Sequence, residues 1–382
     1  MQSPGDYGFF YQAKIMAGTG AMANIPVELD GFDARHPFVL TDKKTSDSGL
    51  PRKFVKALGE SNTIIGALFD DVPAYSSVSL VKDLAQFFRD RGCDSVVAIG
   101  SGPVVDVAKG VNMAVSTGAD VLGFEGVNRV PGHLKPLVVV PTAAIKPFDL
   151  TGNARIDGRK FSSAFLMPDV IAVDPLMVRG CCTECVLDTA MVSLSHAVEA
   201  YLSPSANPLS DAYASMAIRL IAEHLQKSLK RPGNKAASMG MANAAVAAAA
   251  AFDNQPVGVV HALGMELSLL TGNAPGLCMG ILLPAALEYR RQMKQEARSE
   301  LLMAMEGFDA YAGTPAGQRG EKGLRSLQLL FSKIAVLPRT LEELRVPRFK
   351  ADEAIQEALK ANPSLKKQDL SAVMGLAMKG VQ

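Results

Sequence analysis

Short apolar runs alternate with helical patterns through the first part of the chain. Each run covers about four to six residues, is rich in valine and isoleucine, and ends in glycine, proline, aspartate or threonine, as buried strands do. The runs are HPFVLTD, NTIIGALFDDV, DSVVAIG, KPLVVVPT and PDVIAVDP. Before the third run, VSLVKDLAQFFRDRG has the apolar spacing of a helix. This alternation predicts a mostly parallel sheet with helices on both faces.

The pattern changes after the last of these runs. Helical periods extend from Val186 nearly to the end of the chain, broken by NPLS, RPGN, GNAPG and AGTPAG. We therefore predict two domains, an α/β domain at residues 1–180 and an all-helical domain at residues 181–382. Within the second domain, the glycine and proline of TPAGQRGEK, residues 314–322, predict an exposed loop.

Composition and charge argue against several classes of protein. Lysine plus arginine number 39 and aspartate plus glutamate 38 among 382 residues, so no charge excess favours nucleic acid or an anionic membrane as a partner. The alanine-rich segment 236–252 is too weakly hydrophobic for a membrane span and predicts a packed interior helix instead. The opening MQSPGDYGFFYQAK lacks the regions of a secretory signal. We expect a cytoplasmic protein.

The cysteines give no metal site by their spacing. The chain has five of them, an odd number that argues against a disulfide framework. Cys182 and Cys185 form a CxxC beside Cys181. A zinc site needs a second pair of ligands, and no matching CxxC or HxxxH is present in the sequence. Reduced structural thiols are the favoured interpretation.

A glycine turn at the end of one predicted strand is a candidate nucleotide site. SVVAIG runs into GSGP and then into VVDVAKGVNMAV. Gly100 and Gly102 allow the backbone to approach a ligand closely, and Pro103 suits a first helical turn. The helix start directs free N–H groups at that ligand, as a pyrophosphate cradle requires. An ordinary strand-to-helix turn is the alternative.

A carboxylate at the end of another predicted strand is a second candidate. Asp42 closes HPFVLTD, where it could accept hydrogen bonds from both ribose hydroxyls and would repel a 2′-phosphate. It precedes the glycine turn, which is not the usual Rossmann order. A turn or cap aspartate is the alternative interpretation.

Several segments together resemble the iron-containing (group III) alcohol dehydrogenase superfamily. AIGSGPVVDVAK looks like its GGGSxxDxAK element, and VVVPTAAIKPFDLT aligns with its PTTAGTGSEVT element. SLSHAVEAY and VVHALGMELSLL…GLCMGILLP resemble its TxHAxEAY helix and HALAH…HG helix pair. The resemblance covers nearly the whole chain in the right order. It implies an α/β Rossmann-like dinucleotide-binding domain plus an all-α domain, the dehydroquinate synthase-like fold, and a homodimer.

The resemblance also assigns cofactor-binding residues and a reaction. It implies NAD(P)-dependent interconversion of an alcohol and an aldehyde or ketone, with NAD favoured over NADP. Its cofactor-binding residues are Asp42 at the adenosine ribose, Gly100, Ser101, Gly102 and Asp106 at the pyrophosphate, Thr142 beside the nucleotide, and Lys160 close to the cofactor. The loop at residues 145–148 departs from the family's small and hydroxylic residues, which narrows the room for the cofactor.

The metal site implied by the resemblance is incomplete. The family holds its metal with one aspartate and three histidines, of which His196 and His261 are present here. Val192 and Pro275 stand where the other two ligands are expected, and neither carries a side-chain donor. Met265 replaces a further histidine near the catalytic centre. Because such metals need about four ligands, the exchanges argue against a stable iron or zinc site.

Three interpretations remain open from the sequence. In the first, hydride transfer proceeds without a metal, with Lys146 as a cation that stabilises the alkoxide and His261 as a second candidate catalytic residue. In the second, His196 and His261 hold zinc or iron in a rebuilt metal site, assisted by Glu199 or water. In the third, the chain is a catalytically silent paralogue that binds nucleotide or a partner protein. Two histidines that merely hydrogen-bond within the protein are the structural alternative to a metal site.

Overall fold

The computed structural model describes residues 6–59, 61–142, 145–179, 182–295 and 297–381. The chain divides into two compact units. The α/β unit comprises Tyr11–Cys181 and Pro232–Asn243, and the helical unit comprises the described parts of residues 1–10, Cys182–Arg231 and residues 244–382. Cys181, one of the three clustered cysteines, lies outside the described residues.

The α/β unit is built on a parallel sheet. Its described strands, numbered in chain order, are β1 Lys14–Ala17, β2 Pro37–Thr41, β3 Ala67–Phe69, β4 Ser95–Gly100, β5 Gly126–Val127, β6 Leu137–Pro141, β7 Asn153–Ile156, β8 Arg159–Ser162 and β9 Val170–Val173. Six of them form one sheet in the order β1-β9-β6-β4-β2-β3, and its neighbouring strands run parallel. The five predicted strands are all in this sheet, so the prediction of a mostly parallel sheet is confirmed.

Helices cover both faces of this sheet. They are α1 Ile25–Gly31, α2 Lys43–Asp47, α3 Leu50–Leu58, α4 Val78–Asp90, α5 Pro103–Thr117 and α6 Pro175–Val178. Alternate strand residues face opposite ways: Val39 packs with Leu29 of α1 and Phe54 of α3, whereas Phe38 contacts Phe88 of α4 at 6.1 Å between ring centroids. The predicted helix beginning at Val78 is α4.

Two features of this unit were not predicted. Strand β1 lies at the sheet edge and its residues KIMA are mostly exposed, so it has no apolar alternation to detect. Strands β5, β8 and β7 form a separate small sheet in that order. Strand β5 has only 2 residues, too few for a periodic signal.

The helical unit contains the long helices of the second half. Its described helices are α7 Thr183–Leu202, α8 Pro208–Lys230, α10 Val259–Thr271, α11 Pro275–Gln292, α12 Glu300–Glu306, α13 Phe308–Ala312, α14 Ala316–Ser332, α15 Arg348–Ala361 and α16 Lys367–Lys379. Helix α9, Lys235–Phe252, contributes residues to both units. Its alanines from Ala247 to Ala251 are 0% exposed, as predicted for a packed interior helix. In the described part of the chain, no helix is long and apolar enough to cross a membrane.

The prediction of an exposed loop at residues 314–322 is wrong. Helix α14 begins at Ala316 and continues through this segment. Two of its three glycines allow close packing: a Cβ on Gly320 would lie 2.2 Å from the carbonyl oxygen of Ala297, and one on Gly323 would lie 2.7 Å from the nitrogen of Leu302. Glycine therefore marked a helix contact here, where the sequence pattern indicated a turn.

Candidate active site

The carboxyl ends of three central strands bring the predicted nucleotide residues to one edge of the sheet. Thr41 of β2 pairs with Ile99 of β4, and Gly100 of β4 pairs with Pro141 of β6. Asp42, the turn after Gly100 and Thr142 therefore follow directly on neighbouring strands. The chain leaves β2 toward β3 and leaves β4 toward β6, in opposite directions across the sheet. Ligands of open α/β sheets bind at such a switch point.

The turn between β4 and α5 has the geometry of a phosphate cradle. Gly102 has φ 56° and ψ −121°, a conformation that suits glycine alone. A Cβ on Gly100 would lie 3.0 Å from the Val104 side chain. Pro103 opens α5, where its missing N–H costs nothing. The start of this 15-residue helix is thus shaped for an anion.

One donor of this cradle already has an anionic partner, which the sequence did not indicate. The backbone N–H of Gly102 donates to Asp149 Oδ2 at 2.9 Å, and the N–H of Lys146 donates to the same oxygen at 3.2 Å. Burial raises the pKa of the Asp149 carboxyl, while the Lys146 charge and the Gly102 hydrogen bond lower it. Asp149 therefore connects the loop at residues 145–150 to the glycine turn. Its only signal in the sequence is a carboxylate three residues after Lys146.

Asp42 has the cap role that the sequence left as its alternative. It is the N-cap of α2, with Oδ1 accepting from the N–H of Thr45 and Oδ2 from the Thr45 hydroxyl, both at 2.8 Å. Each carboxylate oxygen has a second lone pair, so capping leaves acceptors for a ribose.

Thr142 is buried and its carbonyl accepts from the N–H of Ile145. Lys160 lies on β8 of the small sheet, paired with Arg155 of β7.

Asp106 lies one turn into α5 and is held by the small sheet. Its Oδ1 accepts from the N–H of Arg155 at 3.0 Å, and burial raises the pKa of its carboxyl to about 7. Three residues further, the buried Lys109 donates to the carbonyls of Asp149, Thr151 and Asn153. These contacts tie α5 to β7 beneath the glycine turn. Asp106 is thus in a position to support the turn.

The raised pKa of Asp106 predicts a loss of stability with rising pH. Because the folded state holds this proton more tightly than an ordinary aspartate of pKa 3.8 does, the stabilisation is complete below about pH 4 and is lost as the pH rises through about 7. Asp106→Asn keeps an acceptor for the N–H of Arg155. The free energy of unfolding, measured with urea from about pH 4 to 8, should fall less steeply in this variant than in the wild type.

The matched control for this measurement is Asp83→Asn on the exposed side of α4. It removes one carboxylate without affecting the small sheet. The free energy of unfolding of this variant should depend on pH as that of the wild type does. If Asp106→Asn and the wild type lose stability in parallel, the carboxyl of Asp106 does not hold the proton assigned to it.

The two histidines of the helical unit form a closed pair. His196 Nε2 and His261 Nδ1 are 2.8 Å apart, and the ring of Phe252 stacks on His196 with centroids 4.0 Å apart. His196 is 0% exposed and His261 is 6% exposed, so only His261 has any access to solvent. Burial lowers the pKa of His196 to about 3. His196 is therefore neutral at physiological pH and is joined to His261 by a direct hydrogen bond.

Glu199 is directed at the start of helix α10. Its carboxylate accepts from the N–H of Val260 at 2.7 Å and from that of His261 at 3.0 Å. The N-cap of α10 is Gly258, and a Cβ there would lie 2.2 Å from Glu199 Oε1. Burial raises the pKa of Glu199 to about 7, and the two backbone hydrogen bonds oppose this. Glu199 is a helix cap supplied by α7.

The residues at the other two expected metal-ligand positions contribute to packing instead. Val192 is 2% exposed. Pro275 opens α11, and the next residue, Gly276, donates its N–H to Asp188 Oδ1 at 2.6 Å. A Cβ on Gly276 would lie 2.3 Å from the Asp188 carbonyl oxygen. Asp188 thus caps α11 as Glu199 caps α10.

These donors do not fit a divalent metal. Nitrogens that share a tetrahedral zinc at about 2.05 Å lie about 3.3 Å apart, whereas the two imidazole nitrogens are separated by 2.8 Å. Across the described ranges, no group of three or more histidine, cysteine, aspartate or glutamate side chains could hold a metal ion. Since Glu199 is engaged by backbone amides, the rebuilt site considered from the sequence lacks its third ligand.

Comparison with known proteins shows which family the chain matches. Residues 12–175 match the family model for iron-containing alcohol dehydrogenase, and residues 186–372 match that for the C-terminal region of the Fe-containing alcohol dehydrogenase family. The chain is 28% identical to 1,3-propanediol dehydrogenase of Klebsiella pneumoniae over 351 residues, which are 89% of this chain and 87% of that protein. It is 26% identical to NAD-dependent methanol dehydrogenase of Bacillus methanolicus, covering 81% and 88%.

The fold agrees with these matches. A crystal structure of 1,3-propanediol oxidoreductase superimposes with a TM-score of 0.88 at 27% identity, covering 98% of this chain and 100% of that one. The resemblance to the iron-containing alcohol dehydrogenase superfamily, noted in segments of both predicted domains, is thereby confirmed. The chain belongs to the iron-containing alcohol dehydrogenase family, whose class of activity is alcohol oxidoreduction.

Proposed function

We propose that the chain is an NAD-dependent oxidoreductase that interconverts an alcohol and an aldehyde or ketone without a metal at His196 and His261. The observation that carries the metal-free part is the direct hydrogen bond between the two imidazoles at 2.8 Å. The two carboxylates of α7 considered beside His196, Asp188 and Glu199, cap helices instead. The dehydrogenase part is supported by the relatives in the family.

The nucleotide residues would bind and orient the cofactor, which supplies the hydride acceptor or donor when bound. The start of α5 would hold the pyrophosphate, and Gly102 allows its backbone to approach. Asp42 would accept from the adenosine ribose while remaining the cap of α2. This carboxylate disfavours a 2′-phosphate, which supports NAD over NADP.

Lys146 would supply the positive charge that an alkoxide requires. Its ammonium charge acts on Asp149, where it is the largest influence that lowers the pKa of that carboxyl. A fixed cation beside the reacting oxygen stabilises the negative charge that develops during hydride transfer. Lys146 would then return a proton to that oxygen. His261, which is 6% exposed, is retained as the second candidate catalytic residue.

The reaction is tested by following NADH and NADPH oxidation by the purified chain against a panel of short aldehydes and ketones. We expect turnover with at least one carbonyl compound, and NADH to be preferred. If the nucleotide binds tightly but no compound is reduced, the chain is instead the silent paralogue that binds nucleotide or a partner protein.

Cofactor preference gives a prediction for Asp42. In Asp42→Asn the side-chain oxygen can still accept from the N–H of Thr45, so α2 keeps its cap while the negative charge is lost. The ratio of kcat/KM for NADPH to that for NADH should rise about 10-fold, a change of about 1.4 kcal/mol in discrimination. Asp47→Asn in the same helix is the control and should leave the ratio unchanged. An unaltered ratio in Asp42→Asn means that Asp42 is only a cap.

A further inference from the structure

The start of helix α7 carries two cysteines whose thiols are in contact. Cys182 is the N-cap of the helix and Cys185 lies in its first turn. Their Sγ atoms are 2.9 Å apart, and the N–H of Cys185 donates to Cys182 Sγ at 3.4 Å. Cys182 is exposed and Cys185 is half-buried. A disulfide bond of about 2.05 Å would therefore need a shift of less than about 1 Å between the two sulfurs.

The other described thiols are different. Cys93 is 8% exposed and Cys278 is 0% exposed. Burial raises the pKa of the Cys93 thiol to about 11 and that of Cys278 to about 12. Both therefore remain protonated and shielded from solvent, as inert structural cysteines do. They serve as internal references for the exposed pair.

We propose that Cys182 and Cys185 form a redox-active dithiol that is oxidised to an intramolecular disulfide by low-molecular-weight disulfides. This replaces the interpretation of the CxxC as purely structural thiols. The exchange is separate from the alcohol oxidoreduction and needs neither nucleotide nor substrate. The dithiol lies at the start of α7, the helix that also carries Asp188, His196 and Glu199.

The exchange takes place in two balanced steps. The thiolate of one cysteine attacks a sulfur of the small disulfide, which breaks the S–S bond, forms a mixed disulfide and releases one small thiol. The thiolate of the other cysteine then attacks the protein sulfur of that mixed disulfide and releases the second thiol. The protein loses two electrons and two protons, and the small disulfide is reduced to two thiols.

Two structural features favour the second step. The CxxC spacing at the start of a helix holds the second sulfur beside the first, so closure is intramolecular and fast. The start of a 20-residue helix also favours a negatively charged sulfur. Partial burial raises the pKa of the Cys182 thiol, so the rate of oxidation should increase toward alkaline pH.

The test uses the full-length reduced protein with oxidised glutathione. After acid quenching, free thiols are alkylated with N-ethylmaleimide and the peptide that contains residues 182–185 is weighed. We expect both cysteines to escape alkylation, with the peptide about 2 Da lighter than its dithiol form. Cys182→Ser and Cys185→Ser should each stop at a mixed disulfide with glutathione on the remaining cysteine. Dithiothreitol should restore the alkylated pair in the wild type.

Cys181→Ser is the matched control, since it removes the adjacent thiol and should leave the disulfide intact. Loss of the bridge in this variant would assign the partner to Cys181 and overturn the proposed pairing. Alkylation of both Cys182 and Cys185 after full exposure to oxidised glutathione would overturn the proposal itself. A mixed disulfide that persists in the wild type would do so as well, because the second sulfur would then be out of reach.

Discussion

Replacement of Gly258 by alanine is expected to lower the free energy of unfolding by about 2–4 kcal/mol. The added Cβ would lie 2.2 Å from Glu199 Oε1 and 2.3 Å from its Cδ. Either the carboxylate leaves the N–H groups of Val260 and His261, or helix α10 moves. The first outcome leaves buried donors and a buried carboxylate without partners, and the second disturbs the packing of the unit. Gly258 has φ −85°, so backbone strain does not contribute.

Urea unfolding monitored by circular dichroism measures this effect. Gly375→Ala is the control, because Gly375 lies within α16 with no atom within 4 Å of an added Cβ. That change should stabilise the protein by about 0.5–1 kcal/mol through helix propensity. Glu199→Gln changes the helix cap without adding a steric clash. It retains one acceptor for the N–H groups at the start of α10, so it should lower the free energy of unfolding less than Gly258→Ala does. Equal midpoints for Gly258→Ala and the wild type would contradict the capping role of Glu199.

Replacement of Lys146 by alanine is expected to lower kcat about 100-fold, as loss of one preorganised donor to a developing oxyanion does. The physical reason is that, in a site without a metal, no metal ion stabilises the negative charge of the alkoxide once Lys146 is lost. Steady-state oxidation of NADH with the best carbonyl substrate measures the loss. Lys146→Arg keeps a cation at the same place and should recover part of the rate.

Nucleotide affinity separates catalysis from binding in this variant. The ammonium of Lys146 acts electrostatically on Asp149, which accepts from the N–H of Gly102 in the phosphate cradle. If Lys146→Ala weakens NADH binding but retains kcat, then Lys146 serves the cradle and not the reacting oxygen. Lys82→Ala, an exposed cation on α4 paired with Asp120, is the control for both measurements and should leave kcat and affinity unchanged.

The parallel sheet could be predicted because its strands are buried on both faces. Such strands appear in sequence as continuous apolar runs, and the runs ending at Asp42 and Gly100 are examples. Because these strands are apolar, the polar residues that follow them could be recognised in the sequence as site candidates. Strand β1 is exposed and short, and its position depends on pairing with β9. Pairing with a distant strand leaves no local trace in the sequence.

The candidate site was only partly accessible from the sequence. The loss of side-chain donors at Val192 and Pro275 could be seen directly, since neither residue type can bind a metal. The new partners of the remaining groups could not, because they depend on contacts distant in sequence. Glu199 reaches the start of α10 across 61 residues, and Asp188 reaches Gly276 across 88 residues. Helix capping between elements has no fixed spacing to search for.

Glycine was the residue type whose meaning changed most between sequence and structure. In the turn after β4, Gly102 has the positive φ that a turn requires. At Gly258 and Gly276 no positive φ is involved. Glycine is needed because the Glu199 carboxylate in the first case, and the Asp188 backbone in the second, occupies the space of a side chain. At Gly320 it admits a neighbouring carbonyl. The sequence pattern shows the glycine in each case, but only the packing distinguishes these roles.

The central claim is that this member of the iron-containing alcohol dehydrogenase family works without a metal at His196 and His261. The direct measurement is turnover of NADH with a carbonyl substrate by protein treated with chelator, compared with protein supplied with zinc or ferrous iron, with metal content determined on the same samples. We predict equal turnover in both and less than stoichiometric bound metal. Turnover that disappears with chelator and returns with one metal per chain would contradict the claim.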